Sequence, residues 1–219
     1  MKLKRYEQAG AVFSEDLSSL SYVRKKYGVN GNPTIINSAR GKAMDFDGTN
    51  DYLIMNKKIN FNGELTVCCW IKSGGSISDF RRLLSNSTGD NPRWILYFNN
   101  GPLIMFVNDT GGNTVATSPL SYDDEEWHFV VGTINSSGVE LFIDGLSVAT
   151  DSNTINNFIS TGNFEIASYN NGVNPFNGSI KDAIIFNRVL TATEISNIYN
   201  NKSFDYEKNV ISEWDMSSI

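Results

Sequence analysis

The sequence predicts an all-β protein: a two-sheet antiparallel jelly-roll sandwich with a short N-terminal helical arm and one short C-terminal helix. Three observations carry that prediction. The stretch Trp127 to Ala149, WHFVVGTINSSGVELFIDGLSVA, holds three alternating runs broken by two Gly-containing turns. That period of two is incompatible with a 3.6-residue helix. About a dozen short runs of this kind recur along the chain at turn-punctuated spacing, as two-sheet folds require. Only Ala192 to Asn200 combines a helical apolar stripe with a clear start signal.

Taken in order, residues 1–30 differ from the rest. Ser14 or Asp16 can cap a helix with Leu17, Leu20 and Val23 along one stripe, Arg24-Lys25-Lys26 in its last turn and Gly28 as its stop. Cations suit that end of the helix dipole. The expected division is therefore a basic arm, residues 1–30, and a sandwich, residues 31–219. Thr34 to Ile36 reads as the first strand of the sandwich. Ala43 to Met55 reads as strand, Asp47-Gly48 turn and return strand, with Met44 and Phe46 on one face and Asp45 and Asp47 on the other. Leu65 to Lys72, Arg81 to Leu84, Arg93 to Phe98 and Leu103 to Val107 follow, with Asn99-Asn100-Gly101 turning the last pair. Val115 to Thr117 is a short strand before the acidic turn Asp123-Asp124-Glu125-Glu126.

In the central stretch Asp144-Gly145 is the dipeptide of a type I′ hairpin, whose two central residues need positive φ. Asn163 to Ala167 and Ser179 to Phe186 complete the main strands, and Val210 to Met216 reads as one last strand. In the helix, Thr191 and Glu194 form a capping box and Leu190 and Ile195 a hydrophobic staple. Ile195, Ile198 and Tyr199 make its buried face.

Composition narrows the possibilities. The chain has 219 residues, with a net charge of −6 and 12% aromatic residues. A chain this long buries about 70% or more of its unfolded surface. No apolar run reaches the ~18 residues of a membrane helix, so no membrane insertion is expected. The basic start lacks the long apolar stretch of a secretory signal, and synthesis in a host cytoplasm without export by that route is the expectation. Residues 1–42 hold eight Lys or Arg against three acids, and no Lys or Arg lies between Arg93 and Lys181. The acidic body repels phosphate backbones, which argues against nucleic acid. The arm, with Arg5, Arg24, Lys25 and Lys26, is expected to dock on a neighbouring protein. Cys68 and Cys69 are adjacent on a strand and point to opposite faces, so they do not pair; one is expected to fill core and the other to be half-exposed.

Five motifs in succession carry a resemblance: GKAMDFDGTNDYLIM, LTVCCWIK, EEWHFVVGT, VELFIDGLSVA and FNGSIKDAIIFNRVLTATEISNIYN. Together, over residues 31–205, they resemble the laminin-G-like domains of the concanavalin A-like lectin and glucanase superfamily. The resemblance implies a jelly roll. It leaves function open, because this sandwich serves lectins, adhesion modules, enzymes and viral appendages. It also implies that His128 is structural; Trp127 reads as a core or inter-sheet anchor, and Trp70 and Phe142 as core residues.

Site expectations come from both sources. Asp182 is placed beside Ile180 and Ile184, and a carboxylate among apolar neighbours must be paired or metal-bound. In similar domains such an aspartate, with the early Asp-Gly turn, helps hold calcium; the resemblance nominates Asp182, Asp47 and Asp51 for a structural Ca²⁺. Trp94, Tyr97, Tyr122 and Tyr169 are candidates to stack on a sugar. Catalysis is not expected: the Glu-x-Asp-x-Glu strand of the glucanase branch is absent, and the single histidine has no nucleophile pattern beside it. The functional expectation is a non-enzymatic structural or adhesion protein on a bacteriophage virion surface, contacting other virion proteins or copies of itself. The alternative is an extracellular lectin-like module that binds cell-surface glycan.

Overall fold

The structure, a computed structural model, describes residues 11–15, 27–58, 61–88, 91–156, 159–160 and 162–200. Two antiparallel sheets face each other. The first runs in the order β14 (Leu146–Asp151), β13 (Gly138–Ile143), β12 (Trp127–Asn135), β7 (Leu65–Ser73), β17 (Asn177–Phe186), β4 (Gly41–Asp47) and β3 (Thr34–Ser38). The second runs β11 (Gly112–Ser121), β10 (Pro102–Asp109), β9 (Asn91–Asn99), β8 (Phe80–Thr88), β16 (Asn163–Ile166), β5 (Tyr52–Lys58) and β2 (Tyr27–Asn30). A small ribbon pairs β15 (Ile159–Ser160) with β6 (Phe61–Asn62). The predicted all-β sandwich is the observed fold.

Strand alternation builds the core between the layers. Val67, Cys69 and Ile71 on β7, Val130 and Ile134 on β12, and Leu141 and Ile143 on β13 meet Trp94, Leu96 and Phe98 on β9 and Met105 and Val107 on β10. The intervening residues of the first sheet form a second apolar layer on its outside. Cys68, Trp70, Phe129, Val131 and Phe142 lie there beneath helix α1 (Ala192–Tyr199), which contributes Ile195 and Ile198. Trp70 stacks on Tyr199 with ring centroids 5.6 Å apart. This cover explains why both cysteines are fully buried, where one was expected to be half-exposed. Burial pushes both thiols above their ordinary pKa.

The capping box at Thr191 and Glu194 forms as the residues dictate. The Glu194 carboxylate also accepts two bonds from the Arg188 guanidinium, at 2.8 and 2.9 Å, which fix the turn ahead of the helix.

Residues 1–30 differ from the expectation. β1 (Ala11–Glu15) is a strand, so Ser14 is not a helix cap, and it pairs with Ala183 to Phe186 of β17. Gly28 sits within β2, opposite Ile54, and not at a helix stop. Both sheets thus include strands drawn from the expected arm. Residues 16–26, with the remainder of the expected helix, and the expected tail strand Val210 to Met216 lie outside the described residues.

β17 holds one irregularity that matters for the site. Lys181 pairs with Trp70 and Ile184 with Cys68, so one extra residue is inserted on β17 between them. Asp182 lies in this bulge with φ at +51°. The insertion reverses the alternation: Ile180 faces the core between the layers, whereas Ile184 faces the helix.

Candidate functional site

The register of the first sheet sets five side chains in one row across five strands. Trp127 pairs with Lys72, Lys72 with Ser179, Ser179 with Asp45, and Asp45 with Thr34. Residues directly opposite in an antiparallel pair share a face. Their neighbours Ile71, Ile180, Met44 and Phe46 point into the core, so this row lies on the outer face. Four of the five, Trp127, Lys72, Ser179 and Asp45, line a groove of about 430 Å³, walled by Asn37 and Ser38 of the β3–β4 hairpin and by Glu125 and Glu126.

Local chemistry holds the groove open. Gly178 takes φ at +137°, and a Cβ there would lie 2.3 Å from the Lys72 carbonyl oxygen, so only glycine lets β17 pass so close to β7. The acidic turn is anchored over the strand ends: the Ile77 amide donates to Asp123 at 2.7 Å and the Glu125 amide to Ser73 Oγ at 3.1 Å. Glu125 sits in the left-handed region, φ +63°, at the groove lip; such strained residues cluster at ligand sites. On the floor, Ser179 Oγ donates to Asp45 Oδ1 at 2.7 Å, and both residues line the groove. Lys72 forms no ion pair among the described residues. Trp127 is half-buried, its body against the helix-side cluster and part of its ring on the groove. An aromatic wall beside charged and hydroxyl groups offers a flat apolar surface and several directional hydrogen bonds together.

Next to it, His128 lies between two carboxylates. Nδ1 is 2.8 Å from Asp144 Oδ2 and Nε2 is 3.1 Å from Asp124 Oδ1, and Tyr122 packs edge-on to the ring. The Asp144 bond raises the His128 pKa above its ordinary value; Asp124 adds to this and burial opposes it. Asp144 Oδ1 also accepts the Phe129 amide at 2.9 Å, so the hairpin turn and the histidine are braced as one unit.

Of the expected calcium ligands, Asp47 and Asp51 line one pocket and Asp182 stands apart from them. Asp47 pairs with Asn177, and Asp182 lies five residues further along β17, roughly 16 Å at about 3.3 Å per residue. Asp182 accepts from Lys181 Nζ at 3.0 Å, which supplies the partner that its surroundings demand. Asp51, nearly fully buried, spends both oxygens on backbone amides, those of Asn32 at 2.6 Å and Asp47 at 3.1 Å. Asp47 turns back on its own loop, accepting the Thr49 and Asn50 amides, and the Thr49 bond lowers its pKa. No three His, Cys, Asp or Glu side chains gather for a metal among the described residues. As a set, Asp182, Asp47 and Asp51 do not fit calcium, which needs six to eight oxygens on one centre.

The aromatic candidates divide. Trp94 is fully buried between the layers beside Phe164, so it cannot stack on a sugar. Tyr97 is buried beneath Arg82 on the outer face of the second sheet, with Tyr169 nearby. Tyr122 stays half-exposed against His128. None of the four lines the groove, whereas Trp127, Lys72 and Asp45 do. A period-two reading places those three on strands but not in register, so sequence alone does not assemble them. Arg5, Arg24, Lys25 and Lys26 lie outside the described residues.

Comparison with known proteins agrees with this fold. The chain is 27% identical over 176 residues to the non-toxic nonhemagglutinin type E of Clostridium botulinum, covering 79% of this chain and 14% of the relative. It superposes on the binding domain of Paraclostridial Mosquitocidal Protein 1 with TM-score 0.72 and 18% identity, covering 89% of this chain and 53% of that one. It also superposes on the binding domain of botulinum neurotoxin DC solved in complex with SialylT, with TM-score 0.65 and 16% identity, covering 89% and 52%. The chain thus spans about one-seventh of the curated relative and about half of each binding domain. Residues 47–196 match the family description "Concanavalin A-like lectin/glucanases superfamily", and the chain belongs to that superfamily.

Proposed function

We propose that this chain is a non-enzymatic binding module whose outer-face groove takes the ring of a neutral sugar. The observation that carries the reading is the register-aligned row from Trp127 to Thr34, which sets a half-exposed indole at one end of a line of polar groups. The indole gives a sugar ring an apolar face to lie on, while the Asp45 carboxylate and Lys72 serve its hydroxyls. Three carboxylates, Asp45, Glu125 and Glu126, surround the single cation Lys72. That balance disfavours sialylated or sulfated sugars and favours neutral ones. The groove volume is within the ~300–1,000 Å³ of small-ligand sites. Relatives described as binding domains support recognition over catalysis.

The two functional expectations therefore change order. Glycan recognition comes first because it has a groove to rest on. A structural role on a virion rests on the basic residues of the arm, which lie outside the described residues.

A glycan array followed by calorimetry tests the reading. The protein binds at least one neutral oligosaccharide, and Asp45→Asn and Trp127→Ala each weaken it about ten-fold or more, a loss of ~1.4 kcal/mol, with melting temperature held within a few degrees for Asp45→Asn. Silence on every sugar, or undiminished binding by both variants, sinks it.

A further inference from the structure

One wall of the groove is held from the far side of its strand. The acidic turn Asp123 to Glu126 leads into β12, where Trp127 lines the groove and the next residue, His128, faces the other way, opposite Ile71 of the core. His128 does not line the groove, yet it grips the turn that does. Its Nε2 meets Asp124 Oδ1, and that same oxygen accepts the Glu126 amide at 3.0 Å. Glu125, in the left-handed region, keeps such a conformation only where its surroundings hold it.

Both ring nitrogens of His128 face carboxylate oxygens, which only accept. The imidazolium has two N–H donors and satisfies both; the neutral ring has one. No Lys or Arg forms an ion pair with Asp124 or Asp144 among the described residues, so His128 is their cationic partner. When the proton leaves, one carboxylate loses its donor. Asp144 makes the shorter contact, is 31% exposed and is tied through Oδ1 to the Phe129 amide, whereas Asp124 is 53% exposed. Asp124 is the one released, and the wall of Glu125 and Glu126 loosens with it.

The surroundings leave this response to His128. Burial raises the Tyr122 hydroxyl above its ordinary value. Against burial, the Glu126 amide and His128 hold the Asp124 carboxyl below its own. His128 is the chain's single histidine, and the Asp144 bond, first among its causes, places its titration above the ordinary 6.5.

We propose that protonated His128 is a latch on the acidic wall, so that the groove holds a neutral sugar more tightly below neutrality than above it. The sugar half of this rests on the reading of the groove given above; the latch does not. A neutral sugar has no charge to titrate, so any pH dependence of its binding enters through the protein.

NMR of the unliganded whole chain tests the latch, and calorimetry tests its consequence. Heteronuclear NOE values of the Asp124, Glu125 and Glu126 amides fall as the His128 ring loses its proton between about pH 5.5 and 8.5, and stay level in His128→Gln. The sugar probes are lactose, cellobiose and N,N′-diacetylchitobiose. Any that binds does so about five-fold or more tightly at the low end of that range than at the high end, and His128→Gln flattens the difference. Should His128→Gln fail to fold, Asp124→Asn, which lies outside the groove lining and removes the charge that the ring holds, flattens both profiles. NOE values independent of pH in the parent, or a variant profile as steep as the parent's, overturn the proposal. Falling NOE values with no affinity for any of the three sugars uphold the latch and sink the sugar reading. A sugar bound equally at both ends of the range overturns the proposal and leaves that reading standing.

Discussion

His128 illustrates how much a single side chain can govern. Its two ring nitrogens meet Asp144 and Asp124, so the protonated ring is held by two carboxylates in the native state, and its pKa is raised. A raised pKa means that the folded state binds the proton more tightly than the unfolded chain does. The stabilisation is therefore fully present below the unfolded value of 6.5 and is lost as pH rises through the higher folded value. A His128→Gln variant should be less stable than the parent by about 1–2 kcal/mol near pH 5.5, and the gap should narrow above neutrality. Thermal melts of both proteins from pH 5.5 to 8.5 check this; parallel pH profiles would refute it. At this scale the sequence was legible where alternation was clean, as in Phe129 and Val131 against Val130. It was not legible on β9, where Trp94, Ile95, Leu96, Tyr97 and Phe98 are apolar without a break. Such a strand gives no sign of which side faces the core. Trp94 therefore passed for a ligand candidate, although it is three residues from Tyr97 and on the other face.

Among the elements, α1 is the most readable. Its cap, its staple and its stripe all lie within a few residues of one another, and the structure has each of them. Removing the cap with Thr191→Ala should cost about 1 kcal/mol. Urea unfolding would register the loss as a lower midpoint with an unchanged slope, and a shift of less than a third of that size would mean that the Arg188–Glu194 pair holds the turn alone. The Asp182 bulge is the opposite case. Nothing in NGSIKDAIIF announces an inserted residue, because the insertion is defined by the partner strand, and pairing is a non-local property. Asp182 parts from Asp47 and Asp51 at that point: regular alternation turns it toward Ile184, whereas the bulge gives it to Lys181. Trp127, Lys72 and Asp45 escaped notice for a related reason, since each is ordinary on its own strand and only cross-strand register gathers them.

For the molecule as a whole, the first thirty residues carry more of the fold than their composition suggests. β17 gives the first part of one edge to β4 and the last part to β1, and β2 closes the second sheet against β5. Deleting residues 1–30 therefore strips a strand from each sheet and exposes unpaired edges. The melting temperature should fall by at least ~5 °C, given ~2–4 °C per kcal/mol in a domain of this size, and the truncated chain should associate more readily in light scattering. A truncation as stable and monodisperse as the parent would show that these pairings carry little. The two cysteines give the architecture a further use. Consecutive in the chain, they look out through different walls, Cys69 toward the opposite sheet and Cys68 toward the helix. A thiol reagent reaches the first when the layers part and the second when the helix lifts, so adjacent residues serve as separate gauges of two ways in which the protein can open.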